Sequence, residues 1–305
     1  MDESIAFRPA NASDTPAVFR LFLRSVRDLA FRQGTRPVAD GSDSDVIATV
    51  WQQRQSLFEH LAETAHQFWV AEREETLLGY ARSILRDGML ELTEFFVSPD
   101  AQSGGIGREL LRRTFDADSV RFRAIIASTD IRAQSRYLKS GVYPQFPIMH
   151  FSRQAEDNLA PSEIQFVDIP QDDTALPILA TMDQWVLDFR RDVDHRWFLG
   201  NRAGFLVYRG SEPAGYGYVS RGYGSGPFAL LDPADFPAVL AHAETLAARG
   251  GQADIMLQVP MVNRSAVDYL LQRGFRMDPT LLMYMSDVVH GRPDHYLVTS
   301  PPFFV

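Results

Sequence analysis

The sequence of 305 residues contains no cysteine. That excludes a disulfide framework, a thiolate nucleophile and any cysteine-ligated metal site. No apolar run approaches the ~18 residues needed to cross a bilayer. The opening stretch MDESIAFRPA is acidic and polar, unlike a secretory signal peptide. Positive charge is in deficit: 30 Lys and Arg against 39 Asp and Glu leave a formal net charge of −9. Such a balance argues against a nucleic-acid or anionic-membrane partner. The seven histidines form no pair at metal-ligand spacing on a recognisable helix. The expectation is a soluble cytoplasmic protein without metal, nucleic-acid or membrane partners. What is present is an ordinary globular composition, 45% hydrophobic and 23% charged. The chain is long enough for two cores of about 150 residues each.

Periodicity sets out the elements. A strand, Ile5 to Arg8, leads to a helix over Thr15 to Gln33. Ser13 or Asp14 can cap it, Pro16 suits its first turn, and Val18, Leu21, Phe22, Val26 and Leu29 share one face. A polar loop over 34–45 precedes a second helix, Val46 to Thr64. Strands Gln67 to Glu72 and Leu77 to Leu85 flank a charged hairpin turn, and Asp87-Gly88 turns the chain into the strand Met89 to Val97. A helix to about Phe115, a strand Phe122 to Ser128, a short helix Ala133 to Gly141 and the strand MHFSR complete the unit. The polar stretch 154–163 reads as a linker. After it the same order of elements begins again, as a repeat of order with weak residue identity. Two domains are expected, 1–153 and 163–305. The fold class is α/β (α+β): two tandem domains, each a mixed, mostly antiparallel sheet flanked by helices.

The segment VSPDAQSGGIGRELL, Val97 to Leu111, places Gly104, Gly105 and Gly107 where a strand hands over to a helix. The first helical turn offers backbone N–H groups without internal partners and a partial positive charge, and glycines let an anion approach them closely. A tight turn that happens to be rich in glycine is the alternative. The segment is not a Walker loop, since no Gly-Lys-Ser/Thr follows, and it misses the dinucleotide fingerprint.

Together, strand, proline, Gln102-Ser103-Gly104-Gly105-Ile106-Gly107, helix, strand and a short Ala-x-x-x-Tyr-x-x-x-Gly helix resemble the GNAT N-acetyltransferase superfamily. The opening FRPANASD resembles a common start in that family. The likeness covers about residues 5–152; over 163–290 it rests on element order and on NRSAVDYLLQRGF. It implies that acetyl-CoA is the co-substrate. Amides of Gln102, Ser103, Gly104, Gly105, Ile106 and Gly107 would hold the pyrophosphate, with Arg108 beside it. The pantetheine arm would lie along Phe96 and Val97, in a splay between two strands. Two positions depart from the family pattern: Asp130 stands where Asn is frequent, and Val142 follows Gly141 where Phe is usual.

Acetyl transfer to an amine needs a base to remove a proton, a donor for the developing oxyanion and an acid for the leaving thiolate. Glu91 and Glu94 are the base candidates. They are an odd number of residues apart, so a regular strand points them to opposite faces unless a bulge intervenes. Tyr137 is the candidate acid by resemblance. Phe95 and Phe96 read as core. The run RRDVDHR reads as a solvated helix end, and His195, His290 and His295 as surface or hydrogen-bonded histidines.

The second half lacks the glycine loop. ADFPAVLAHAE follows Pro233, and Leu270 stands where the tyrosine would be, with Tyr269 one residue off. That half is expected not to bind coenzyme A but to shape the acceptor pocket, with GYGYVSRGYGSGPF as a contributor. The expected function is N-acetylation of a small-molecule primary amine by a monomer or homodimer. A non-catalytic acyl-CoA sensor is the alternative, and a tRNA-dependent aminoacyl transferase is disfavoured by the acidic chain. Arg24, Arg27, Arg32 and Arg36 hint at an anionic acceptor group, or form a charged helix face.

Overall fold

The computed structural model describes residues 5–34, 44–102, 104–116, 118–158, 162–222 and 224–299. The chain divides into two compact units, one of residues 1–126 and 130–142, the other of 127–129 and 143–305. Both mix helices with a predominantly antiparallel sheet.

The first unit runs β1 (Ala6–Pro9), α1 (Thr15–Gln33), α2 (Ser44–Glu63), β2 (Ala65–Arg73), β3 (Thr76–Arg86), β4 (Met89–Val97), α3 (Ile106–Thr114), β5 (Phe122–Ser128) and α4 (Ile131–Lys139). Its strands lie in sequence order, antiparallel from β1 to β4, with β4 and β5 parallel. The turns follow from local chemistry. Glu74 and Glu75 between β2 and β3, and Asp87 and Gly88 between β3 and β4, all have positive φ, as the right-handed twist of a two-residue hairpin demands. Arg8 on β1 reaches both Asp14, at the entrance of α1 (2.8 Å), and Glu72 on β2 (3.1 Å), fixing where the helix begins. Pro16 sits in the first turn of α1, and Gly34, at φ 65°, ends it. Phe19, Phe22, Phe58, Phe68, Val70 and Tyr80 form the core between α1, α2 and the sheet.

The second unit runs β6 (Tyr143–Gln154), β7 (Ile164–Asp168), α5 (Leu176–Leu187), α6 (Asp192–Asn201), β8 (Arg202–Arg209), β9 (Glu212–Ser220), β10 (Phe228–Leu230), α7 (Phe236–Arg249), β11 (Asp254–Pro260), α8 (Arg264–Gln272), β12 (Arg276–Ser286) and β13 (Tyr296–Leu297). One ladder has the order β12-β6-β11, the other β13-β10-β9-β8-β7. The strand containing MHFSR, read from sequence as the end of the first domain, is β6, and both of its partners here, β11 and β12, belong to the second unit. Phe205, Phe228, Phe236, Leu240, Leu257 and Leu270 are among its core residues.

One sequence reading is overturned. RRDVDHR is not a solvated helix end: Asp188, at φ 67°, breaks the helix after α5, and Arg191, Asp194 and His195 are fully buried around α6. Asp183 of α5 explains the burial. Arg191 donates to its Oδ2 at 3.0 Å, a His195 ring nitrogen lies 2.8 Å from the same oxygen, and Tyr216 donates to Oδ1. A paired and hydrogen-bonded charge is one of the few that a core tolerates.

Candidate active site

The strand–loop–helix of the first unit is built as follows. β3 and β4 pair regularly except at one bulge: Ser83 faces Leu92 but Arg82 faces Glu94, leaving Thr93 as the extra residue. Ile84 faces Glu91, and Ile84 and Arg82 share a face. The bulge therefore brings Glu91 and Glu94 to one face, the condition under which the regular-strand expectation fails. Phe96 opposite Tyr80 lies on this face too, stacked on Tyr80 at 5.6 Å and edge-on to Phe22 at 5.3 Å.

The two glutamates differ in what holds them. Glu94 is buried and uses both oxygens: Tyr80 donates to Oε1 at 3.0 Å and Arg82, fully buried, to Oε2. Arg82 also donates to the Phe58 carbonyl at 2.9 Å, and its guanidinium lies over the Phe68 ring. Burial pushes the Glu94 carboxyl up despite Arg82. Glu91 is fully buried at the point where the β4–β5 ladder ends.

That ladder is short. Met89, Leu90 and Glu91 pair with Phe122, Arg123 and Ala124; both strands then continue without further register between them, so a slot opens beyond Glu91. The end of β4 that β5 leaves unpaired, at Val97, runs on into the glycine loop. Gly105, at φ 83°, is the N-cap of α3, no side chain caps the helix, and a Cβ built at Gly105 would touch nothing within 4 Å. Gly104 is similarly open, its nearest neighbour the Ala101 carbonyl at 3.8 Å. Gly107 is different: a Cβ there would lie 2.9 Å from the Phe95 ring, so its role is to let α3 close on the sheet. Ile106 is buried and lies against Gly79 of β3. Ser103 lies outside the described residues.

Gln102 ties the loop down, donating to the Val97 carbonyl at 3.4 Å and accepting from Arg132. Asp130 caps α4 through the Arg132 amide and accepts from Arg32 at 2.9 Å. Burial would raise its carboxyl, but these donors outweigh it and hold it low. Arg108 is exposed at the start of α3, and the Arg136 guanidinium lies near Gly107. Arg132, paired with Asp130, reaches the loop through Gln102. Arg24 is tied to Ser98 and Arg27 is half-buried, whereas Arg36 lies outside the described residues.

Tyr137 lies on the opposite face from the glutamates. It is buried on α4, edge-on to Phe95 at 6.0 Å. Burial, with the Asp130 charge, pushes its hydroxyl well above the ordinary phenol value and keeps it protonated. The fold thus brings Glu91 to Glu94 and Tyr137 to Phe95, on opposite faces of the sheet. Phe95 and Phe96 are half-buried packing residues. Among the described residues no group of three His, Asp or Glu is placed to hold a metal ion, and no helix is long and apolar enough to cross a membrane.

The second unit has no glycine at the turn that leads from β10 into α7. After β10, Asp232 caps the following turn, and Asp235, paired with Arg209, sits at the N-cap of α7 with Pro237 in the first turn. Leu270 is buried in the core, and Tyr269 accepts from Asn158 at 3.1 Å.

Residues 38–143 match the acetyltransferase (GNAT) domain family. No curated protein matches the chain in sequence. A Pyrococcus horikoshii protein named for acetyltransferase activity has the same fold over 97% of this chain and 94% of its own, with a TM-score of 0.74 and 16% identity. A GCN5-related N-acetyltransferase from Sphaerobacter thermophilus covers 96% of this chain and 98% of its own (TM-score 0.62, 14% identity). A tandem GNAT protein from the clavulanic acid biosynthesis pathway covers 93% and 98% (TM-score 0.55, 14% identity).

Proposed function

We propose a function from the premise that the chain is a tandem GNAT-fold protein whose first half carries the GNAT acetyltransferase domain: the first unit moves an acetyl group from acetyl-CoA to the primary amine of a small molecule. One observation carries this reading. Past the slot between β4 and β5, β4 runs on into the glycine loop and an uncapped helix start with open space at Gly104 and Gly105. A linear acyl-bearing arm joined to a pyrophosphate fits that pairing, since the amides of α3 suit the anion and the slot suits the arm. Arg108, Arg132 and Arg136 add charge at the phosphate end.

The residues of this chain divide the work. A free alkylamine has a pKa of about 10 and must lose a proton before it attacks. Glu91 is the base, reached through water, because Glu94 already spends both oxygens on Tyr80 and Arg82. Glu94 positions the bulge of β4 beside it. Backbone N–H groups of β4 beyond the end of the ladder orient and stabilise the oxyanion developing at the acyl carbon. Tyr137, held neutral by burial, gives its proton to the departing thiolate.

Release of free thiol from acetyl-CoA against a panel of small amines tests the reading. Thiol release that needs the amine supports it. Tight coenzyme A binding with no turnover on any amine turns the first unit into an acyl-CoA sensor. That second reading draws on the full burial of Glu91, which leaves the base no direct path to an acceptor.

A further inference from the structure

In the first unit β4 and β5 meet at one end and then part. The second unit repeats the geometry with a different content. The chain just before β10 meets β11 at one parallel bridge, Ser225 to Leu257, where the Ser225 amide donates to the Met256 carbonyl at 2.8 Å. Beyond it the gap is one strand wide, and the strand in it is the chain's own late segment. Phe228 and Ala229 pair with Leu297 and Tyr296 on one side, and Val298 bridges to Gln258 of β11 on the other.

The segment is latched by buried groups. Arg191 donates to the Tyr296 hydroxyl at 2.7 Å, and through Asp183 it joins the network that contains His195 and Tyr216. Asn263 donates to the Tyr296 carbonyl at 3.3 Å. Arg202 donates to the Thr299 hydroxyl and to the Gly226 carbonyl. At Gly226 a Cβ would lie 2.6 Å from the Val298 carbonyl, so glycine is what lets the strand enter. Tyr296, Leu297, Val298 and Thr299 are all buried.

The geometry points to a self-liganded second slot: Tyr296 to Thr299 occupy, as a backbone-paired strand, the place in the second unit where a carrier arm would lie in the first, and so close that unit to acyl carriers. The comparison rests on the slot reading of the first unit, but the occupant is tested without coenzyme A. The probe is the peptide RPDHYLVT, residues 292–299, titrated by calorimetry against the intact chain and the full-length variant Leu297→Asp, which puts a charge into the core and expels the strand. The intact chain takes up no peptide; the variant binds one equivalent and recovers melting temperature with it. Uptake by the intact chain, or a folded variant that ignores the peptide, overturns the proposal. If Leu297→Asp does not fold, Tyr296→Phe decides: losing one latch speeds amide exchange at 296–298 up to about tenfold, with β8 and β9 unchanged. Unchanged exchange at 296–298 overturns it.

Discussion

A single inserted residue, Thr93, decides which side chains share the candidate site. Sequence parity places Glu91 and Glu94 on opposite faces; the bulge puts them on one. Bulges leave little trace in a run such as MLELTEFFV, because every residue in it is compatible with a strand. Nor did the sequence announce that Arg82 would be the partner of Glu94, since the pair forms across two strands. Removing that partner is costly: Glu94→Ala leaves Arg82 buried without its carboxylate, and thermal or denaturant unfolding should register a loss of about 3–5 kcal/mol. Tyr137 was singled out in the sequence by the helical position that the resemblance marks, and the structure buries it on α4 beside Phe95. Tyr137→Phe keeps the packing against Phe95 and removes only the hydroxyl. It should lower kcat by about a hundredfold or more with the melting temperature nearly unchanged. An unchanged kcat in steady-state assays would remove Tyr137 from the chemistry.

At the scale of elements, the glycine loop and the hairpins were readable because turn chemistry is local. Asp87-Gly88 and the helix over Thr15 to Gln33 appear where the residues ask for them. Gly105 sits at φ 83° with open space around it, so Gly105→Glu combines a strained backbone with a carboxylate at the proposed phosphate cradle. Calorimetry should find coenzyme A binding abolished while the unit stays folded. The segment around α6 was not readable. Its charges look solvated in sequence, because their partners, Asp183, Tyr216 and Tyr296, lie on other elements. Burial would raise the Asp183 carboxyl, but Arg191 and His195 outweigh it and hold it below the ordinary carboxylate value. A depressed native pKa contributes stability above the unfolded value and loses it as pH falls. The thermal midpoint of the second unit should therefore drop as pH falls below about 4. In Asp183→Asn that acid-dependent drop should be smaller, although the variant starts from a lower midpoint, because Arg191 then has no buried counter-charge.

For the whole molecule, the question is how many acyl carriers one chain holds. The tandem order was visible in the sequence as a repeat of strands and helices, and the missing glycines after Pro233 were visible too. The late strand β13 was not, since two residues carry no periodicity. Both signals bear on the same number. An anion arriving at α7 would meet Asp232 and Asp235 where α3 presents glycines, and Pro237 supplies no amide. An arm arriving between β10 and β11 would meet Tyr296 and Leu297 already paired there. Either obstacle suffices alone, so restoring the cradle does not restore binding. Titration of acetyl-CoA should give one equivalent per chain, lost in Gly105→Glu. Replacing Asp235 and Pro237 by glycine should still leave one equivalent rather than two. A second equivalent in that variant would mean that the acidic cradle alone had kept the carrier out and that the strand in the slot yields to it.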